Sequence, residues 1–144
     1  MKKKIFIIIL SIFLLFLNAQ VSAVLAAELI IVANRNIKQN EISKDEIKFI
    51  YLGRKKKWDD DSRITFVVLR SKLYQEEFMT NFLGKTPEQF DHYWKQNVFT
   101  GNGQTPITFE NIKDLVDFIA NRDGSVGYVP EDANIGNLKI LKIK

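Results

Sequence analysis

The stretch that decides the fold is ITFVVLRS, residues 64–71. Its first six residues are mostly apolar or β-branched, which predicts a strand buried on both faces of a parallel sheet. From 72 to 83, apolar residues recur at helical spacing, which predicts a helix. Loops after such strands commonly hold ligands in α/β proteins, so Arg70 is a candidate anion clamp. The alternative is a solvated arginine at the end of a strand.

Upstream of this stretch, the sequence predicts one further strand and one short helix. The strand is LIIVA at 29–33, and the polar residues that follow it predict a loop. Ser43 and Glu46 have the spacing of a capping box, which begins a helix. Apolar residues at 47–51 form its buried stripe, and Gly53 ends it.

Downstream, two more helices and two strands are predicted. The segment TPEQ at 86–89 has the cap, proline and glutamine of a helix start. A turn-rich loop follows at 99–106, and Thr108 is the expected cap of the last helix. Short strands are predicted at 125–129 and 138–143, the second with a sheet edge as its expected position.

The predicted order is therefore strand, helix, strand, three helices and two strands. This order indicates an α/β layered domain with a small mixed, partly parallel sheet flanked by helices. Neither an internal repeat nor a linker divides residues 28–144, which we expect to form a single domain.

The first residues have the pattern of a secretory signal peptide. Three lysines at 2–4 precede a run of 13 residues at 5–17 that is apolar except for Ser11, and small residues follow at Ala23. We expect residues 1–23 to be removed, with cleavage as late as Ala27, and the protein to be periplasmic. An uncleaved membrane helix is the alternative, although the run is short for one. Since no cysteine follows, a lipoprotein anchor is not expected.

The composition argues against several classes of function. Of 21 basic residues three lie in the signal segment, so 21 − 3 = 18 remain against 17 acidic residues, a net charge of +1. This balance does not indicate nucleic acid or an acidic membrane surface as a partner. The chain has no cysteine, and its one histidine, His92, falls off the apolar stripe of its helix. With neither a metal constellation nor a phosphate loop, we expect no enzyme and no cofactor.

Two charge blocks flank Trp58. Residues 54–57 are basic and residues 59–61 are acidic. Adjacent carboxylates do not suggest general acid–base catalysis, and the alternating ligand positions of a calcium loop are absent. We expect a solvated loop with Trp58 as a packing anchor.

Several stretches together resemble the phosphate-binding proteins of ABC importers. Residues 42–58, ISKDEIKFIYLGRKKKW, resemble their segment of serine or threonine, helix, Ile-Tyr/Phe-Leu-Gly-Lys and tryptophan. Residues 66–78 resemble the next strand, arginine and helix, and GSVGYV at 124–129 resembles the closing Gly-Ala-Ile-Gly-Tyr-Val. The pair at 93–94 with the loop at 99–106 resembles a shorter, phosphate transporter substrate-binding-like branch.

The resemblance implies a single lobe of the type 2 periplasmic-binding-protein fold. Full-length members close two lobes on a ligand, whereas only the equivalent of one lobe is present in this sequence. A single lobe offers half a cleft. A second copy, giving a homodimer, or another protein would supply the opposite wall.

The ligand motif of the family is altered here. In the importer proteins an arginine is followed, four to six residues later, by Ser-Gly-Thr that donates to phosphate. Arg70 matches that arginine, but Tyr74, Gln75 and Glu76 hold the Ser-Gly-Thr positions. Glu76 would repel a nearby anion by about 1 kcal/mol per unit charge in water at 4 Å. Ser71 remains as a potential cap and hydroxyl donor, so weak binding is expected.

Two functions follow as hypotheses. The first is an extracytoplasmic solute-binding-like module for phosphate or another small oxyanion, connected with an ABC permease or a membrane sensor. Its site would consist of Arg70 and Ser71 with Thr100, Gly101 and Gly103, because glycines permit close backbone approach to an anion. The second is a ligand-free interaction module that kept one lobe and docks on an envelope partner.

Overall fold

A computed structural model describes residues 28–144. The predicted signal segment, residues 1–23 with cleavage as late as 27, lies outside this part of the chain. Six strands are present: β1 Leu29–Ala33, β2 Glu41–Ile42, β3 Thr65–Leu69, β4 Ile107–Phe109, β5 Ser125–Pro130 and β6 Lys139–Ile143. Four α-helices accompany them: α1 Lys44–Tyr51, α2 Lys72–Phe78, α3 Pro87–Phe99 and α4 Ile112–Ala120. Among residues 28–144, no helix has the length and apolarity needed to cross a membrane.

All six strands form one mixed sheet in the order β2-β6-β1-β5-β3-β4. β3 runs parallel to both β4 and β5, whereas β1 runs antiparallel to β5 and β6. The predicted small, partly parallel α/β sheet is therefore confirmed. Its parallel half places the carboxyl end of β3, where Arg70 follows, beside the end of β4.

Helices cover both faces of the sheet, and β5 shows why. Gly127 faces α4 so closely that an added Cβ would lie 2.8 Å from Ile119. The next residue, Tyr128, points to the opposite face and stacks on Phe78 with 3.8 Å between ring centroids. Because side chains alternate along a strand, one strand thus contacts α4 on one face and α2 on the other.

Local helix signals operate as predicted. Ser43 accepts from the Glu46 N–H at 3.1 Å, and the Glu46 carboxylate accepts from the Ser43 N–H at 3.0 Å. A second capping box joins Thr86 and Gln89 at the start of α3. Gly53, with φ of +70°, follows the last residues of α1. These caps satisfy N–H groups that have no partner within the helix.

Four predictions about elements are corrected by the structure. β2 and β4 were not predicted: β2 begins where the predicted loop ends, and β4 covers residues 107–109, where the cap and start of the last helix were expected. Such short edge strands have too few residues to show a period. Thr108 belongs to β4, and Asn111 caps α4 instead, accepting from the Asp114 N–H. β6 is not an edge strand, since it lies between β1 and β2. The helix predicted over 72–83 is α-helical only to Phe78 and continues as a π-helix over Met79–Leu83.

Trp58 is a packing anchor, as predicted. Its side chain is buried, and its indole Nε1 donates to the Gly124 carbonyl at 3.0 Å. The charged residues around it form ion pairs at their own surface, such as Lys55 with Asp59 at 3.0 Å. The loop between α1 and β3 is therefore held to the turn before β5.

Candidate functional site

Arg70 lies at the carboxyl end of β3 with its backbone fixed by the neighbouring strand. Its N–H donates to the Phe109 carbonyl at 2.7 Å, which continues the β3–β4 ladder by one residue. The side chain is exposed, and within residues 28–144 no carboxylate forms an ion pair with it. The sheet thus holds the backbone while the guanidinium keeps its hydrogen-bonding capacity for another group.

Ser71 occupies the N-cap position of α2 but does not cap it. Its backbone is extended, as an N-cap residue should be, yet its side chain makes no capping hydrogen bond. The other three α-helices have side-chain caps from Ser43, Thr86 and Asn111. The expectation that Ser71 would cap α2 is therefore wrong in this structure.

Arg70 opens onto a cavity of about 470 Å³, which we call the Arg70 cavity. It lies between α3 and the β3–β4 side of the sheet. Most of its wall is apolar, formed by Val68, Phe90, Trp94, Val98, Phe99 and Pro106. The remaining lining side chains are polar or charged: Arg70, Gln75, Asp91, Lys95, Thr105 and Thr108. An apolar hollow with a few convergent polar groups is the usual form of a small-molecule site.

Gln75 is the buried polar group of this cavity. Its side chain is only 8% exposed and lines the cavity from α2. Within residues 28–144 the Gln75 amide makes no hydrogen bond. The amide is not completely enclosed by the protein, however. The amide therefore has its remaining access through the cavity. Buried amides normally find partners, so this one marks a place where a ligand or solvent atom belongs.

The tryptophan of the wall is firmly held. Trp94 is 7% exposed, and its Nε1 donates to the Tyr51 carbonyl at 3.1 Å. Its ring packs on Phe66 with 5.6 Å between centroids. Behind the ring, Gly103 comes so close that an added Cβ would lie 2.7 Å from it. Gly103 is thus required for packing against Trp94.

A second depression, which we call the basic groove, lies beside the first. Its volume is about 740 Å³, and Trp94, Thr105 and Pro106 line both. Its charged lining is entirely cationic: Arg54, Lys55, Lys56, Arg63 and Arg122. Gly101 and Gly103 form part of its wall. The groove is more polar and more open to solvent than the Arg70 cavity.

One cation of the basic groove has partners within the chain. The Lys55 Nζ lies 2.8 Å from Glu46 and 3.0 Å from Asp59. Partial burial alone would raise the pKa of the Glu46 carboxyl. The hydrogen bonds from Lys55 and from the Ser43 backbone, with the charge of Lys55, outweigh burial and lower that pKa from 4.5 to about 2.

This shift predicts an acid dependence of stability. The pKa of Glu46 is lower in the folded chain than in the unfolded chain, so the unfolded chain takes up the proton first as the pH falls. The contribution of the Glu46 carboxylate to the free energy of unfolding is therefore complete above pH 4.5 and is lost towards pH 2. Glu46→Gln keeps a capping side chain, as Gln89 does in α3, but removes the charge. We expect it to lower the free energy of unfolding by about 1 kcal/mol at pH 7. Urea titrations of both proteins at pH 7 and pH 2 should show the difference vanishing in acid; a constant difference would contradict the assignment.

The structure places the five residues predicted for a ligand site in different surroundings. Arg70 lines the Arg70 cavity, whereas Gly101 and Gly103 line the basic groove. Ser71 and Thr100 line neither, and the Thr100 hydroxyl donates to the Gln96 carbonyl at 2.9 Å at the end of α3. Sequence reasoning missed Gln75 as a lining residue. Its position three residues before the buried Phe78, on the inner side of α2, is the pattern that could have identified it.

Known structures resemble this fold at low sequence identity. No protein-family model and no curated protein sequence matches the chain. The phosphate-binding protein from Stenotrophomonas maltophilia aligns at a TM-score of 0.60 and 18% identity, over 82% of this chain and 39% of its own. PstS from Borrelia burgdorferi aligns at 0.59 and 19%, over 81% and 47%. An ABC-type phosphate transport receptor from Vibrio cholerae aligns at 0.54 and 12%, over 80% and 45%.

The chain thus spans less than half the length of each of these structures. Matches of this quality show the fold, and they agree with the single lobe that the sequence resemblance implied. Residues 28–144 therefore have the fold of one lobe of the phosphate-binding proteins that serve ABC transporters.

Proposed function

We propose that this chain is an extracytoplasmic solute-binding-like module that binds phosphate or another small oxyanion weakly. Its fold is shared with proteins named for phosphate binding and transport. The predicted signal peptide would deliver it to the periplasm. Because the structural neighbours are named as binding proteins or receptors, we propose a role without catalysis.

The observation that supports this function best is the state of Arg70. Its guanidinium is exposed at the end of a buried strand, has no ion-pair partner within residues 28–144, and faces a cavity. A guanidinium binds carboxylate and phosphate oxygens through paired hydrogen bonds. The strand fixes its backbone, so a bound anion does not have to order the main chain first.

Binding at this corner is proposed to be weak. Tyr74, Gln75 and Glu76 replace the phosphate donors that the sequence resemblance leads one to expect. Of these only Gln75 lines the Arg70 cavity, and Glu76 is exposed outside it. The arginine thus has one polar neighbour on α2 instead of a cluster of hydroxyl and backbone donors.

A lobe of this size encloses an anion on one side only. We therefore propose that the opposite wall comes from a partner, such as an ABC permease, a membrane sensor or a second copy of the chain. Each would add contacts that close the cavity from solvent. Closure would strengthen the attraction between Arg70 and the anion, because charges interact more strongly away from water.

Replacing Arg70 tests the proposal. We expect Arg70→Ala to weaken anion binding by at least about tenfold, since hydrogen bonds between charged groups contribute about 1.5–3 kcal/mol. Isothermal titration calorimetry of the purified protein with millimolar phosphate measures this. Arg63→Ala, at an exposed arginine of the basic groove, is the matched control and should leave affinity at the Arg70 cavity unchanged.

Two results would contradict the proposal. One is the absence of both heat and thermal shift with phosphate and with organic oxyanions at millimolar concentration. The other is binding that is lost in Arg63→Ala and retained in Arg70→Ala, which would place the anion in the basic groove.

A second candidate function is favoured by the rim of the Arg70 cavity. Phe99 is 93% exposed and Val98 is 41% exposed at the end of α3. Exposed apolar groups around a depression are typical of protein-binding surfaces. If the chain is an interaction module without a ligand, Phe99→Ser should weaken docking on its envelope partner, while Arg70→Ala leaves docking largely intact.

A further inference from the structure

We infer that the Arg70 cavity accepts an organic monoanion, a carboxylate attached to an aromatic or branched aliphatic body, in preference to inorganic phosphate. The inference rests on the proposed function, because it assigns the solute class of the same site. It concerns what fills the space beside the guanidinium. Three features of the cavity lead to it: its walls, its buried amide and its charge.

The walls of the cavity fit an apolar body. Val98 and Phe99 line it with exposed apolar side chains, and the buried Val68, Phe90 and Trp94 form its floor. A volume of about 470 Å³ falls in the range of sites for small organic molecules. Phosphate bound at Arg70 would leave these walls in contact with water. An aromatic or branched chain would cover them, and covering apolar surface contributes roughly 25 cal/mol per Å².

The buried amide of Gln75 gives the ligand a second polar contact. It lies on α2, which begins directly after Arg70 and Ser71, and it reaches the cavity from inside the fold. Gln75 is only 8% exposed, and its amide makes no hydrogen bond within residues 28–144, so a ligand atom in the cavity can reach it. A carboxylate can accept from an arginine and an amide together, which fixes the orientation of the apolar body.

The charges around the cavity favour a monoanion. Arg70 and Lys95 are cationic, and Asp91 is a carboxylate on the same helix as Lys95. The net charge of these three lining side chains is therefore +1. A phosphate dianion would meet the repulsion of Asp91. The basic groove next to it, whose cations other than Lys55 form no ion pair within residues 28–144, suits a more highly charged anion better.

The experiment uses four probes that separate charge from apolar body. These are 3-phenylpropionate, its neutral amide 3-phenylpropanamide, acetate and inorganic phosphate, each titrated calorimetrically into the purified protein. We expect 3-phenylpropionate to bind at least about tenfold more tightly than each of the others. Arg70→Ala should reduce its affinity to that of the amide and leave the amide unaffected.

Two further variants locate the apolar body and the amide contact. Val98→Trp places a large ring at an exposed lining position and should abolish binding of 3-phenylpropionate. Gln96→Trp, at an exposed residue of the same helix outside both depressions, is the matched control and should bind normally. Gln75→Leu should weaken binding roughly three- to tenfold without lowering the melting temperature, because it removes an unpartnered buried amide.

The outcomes distinguish the two proposals. If phosphate or acetate binds through Arg70 as tightly as 3-phenylpropionate does, the inference is overturned and the proposed function stands. If the acid and the amide bind equally and Arg70→Ala changes neither, the cavity is a purely apolar site and both proposals are wrong. If no probe binds, both are likewise overturned.

Discussion

Gly124→Ala is expected to destabilise the protein by about 4 kcal/mol, a large part of the 5–15 kcal/mol that typically stabilises a domain. The residue has a φ of +75°, and an added Cβ would lie 2.1 Å from the Arg63 carbonyl oxygen. Backbone movement cannot relieve this contact at low cost. The Gly124 carbonyl accepts from the Trp58 indole at 3.0 Å and from the Thr65 N–H at 3.1 Å, and movement would weaken both bonds.

The matched control is Gly101→Ala. Gly101 has the same φ of +75°, but no neighbouring atom lies within 4 Å of its added Cβ. Gly101→Ala should therefore lower the free energy of unfolding only by the backbone strain, about 1 kcal/mol. Urea unfolding followed by tryptophan fluorescence measures both variants. Equal losses in the two would show that the contact with Arg63 relaxes freely, contrary to our expectation.

Phe78→Ala is expected to lower the free energy of unfolding by about 3–5 kcal/mol, the range for deleting a buried aromatic ring. Phe78 is completely buried. Its ring centroid lies 3.8 Å from that of Tyr128 and 4.7 Å from that of Tyr51. Both tyrosines donate to β3 carbonyls, Tyr51 to Val67 and Tyr128 to Leu69. Loss of the ring would loosen α2 and the hydrogen bonds that hold the strand leading to Arg70.

Phe99→Ala is the control for this substitution. It deletes the same side chain where 93% of it is exposed, so the free energy of unfolding should change by less than about 0.5 kcal/mol. Thermal and urea denaturation of the two variants compare burial directly. A loss below about 1 kcal/mol in Phe78→Ala would mean that the surrounding rings collapse into the space.

Local chemistry made much of the fold predictable from sequence. The capping boxes at Ser43 and Thr86 depend on residues three positions apart, so a sequence displays them fully. The strand at 65–69 was evident from its apolar run. β4 was not, because its three residues gain their strand character from pairing with β3 and two of them remain exposed. Such pairing is a tertiary contact that no local pattern contains.

The candidate site was less predictable for the same reason. Arg70 could be selected because its position after a buried strand is local information. Gly103 was selected for an expected closeness to a ligand, whereas the close neighbour in the structure is the ring of Trp94. Gln75 faces the cavity only because α2, α3 and the sheet leave a gap there. Whether a gap remains between elements depends on how they pack, which residue spacing does not specify.

The position of β1 in the sheet has a consequence for the order of folding. Both of its neighbours come from the far end of the described chain, since Leu29 pairs with Pro130 and Ile31 pairs with Leu141. Pairings this distant require closure of long loops before they are stabilised, which gives a high contact order and slow folding. β1 therefore has no partner strand until β5 and β6, from the far end of residues 28–144, reach it. Folding rate, more than final stability, is therefore the property that this strand order governs.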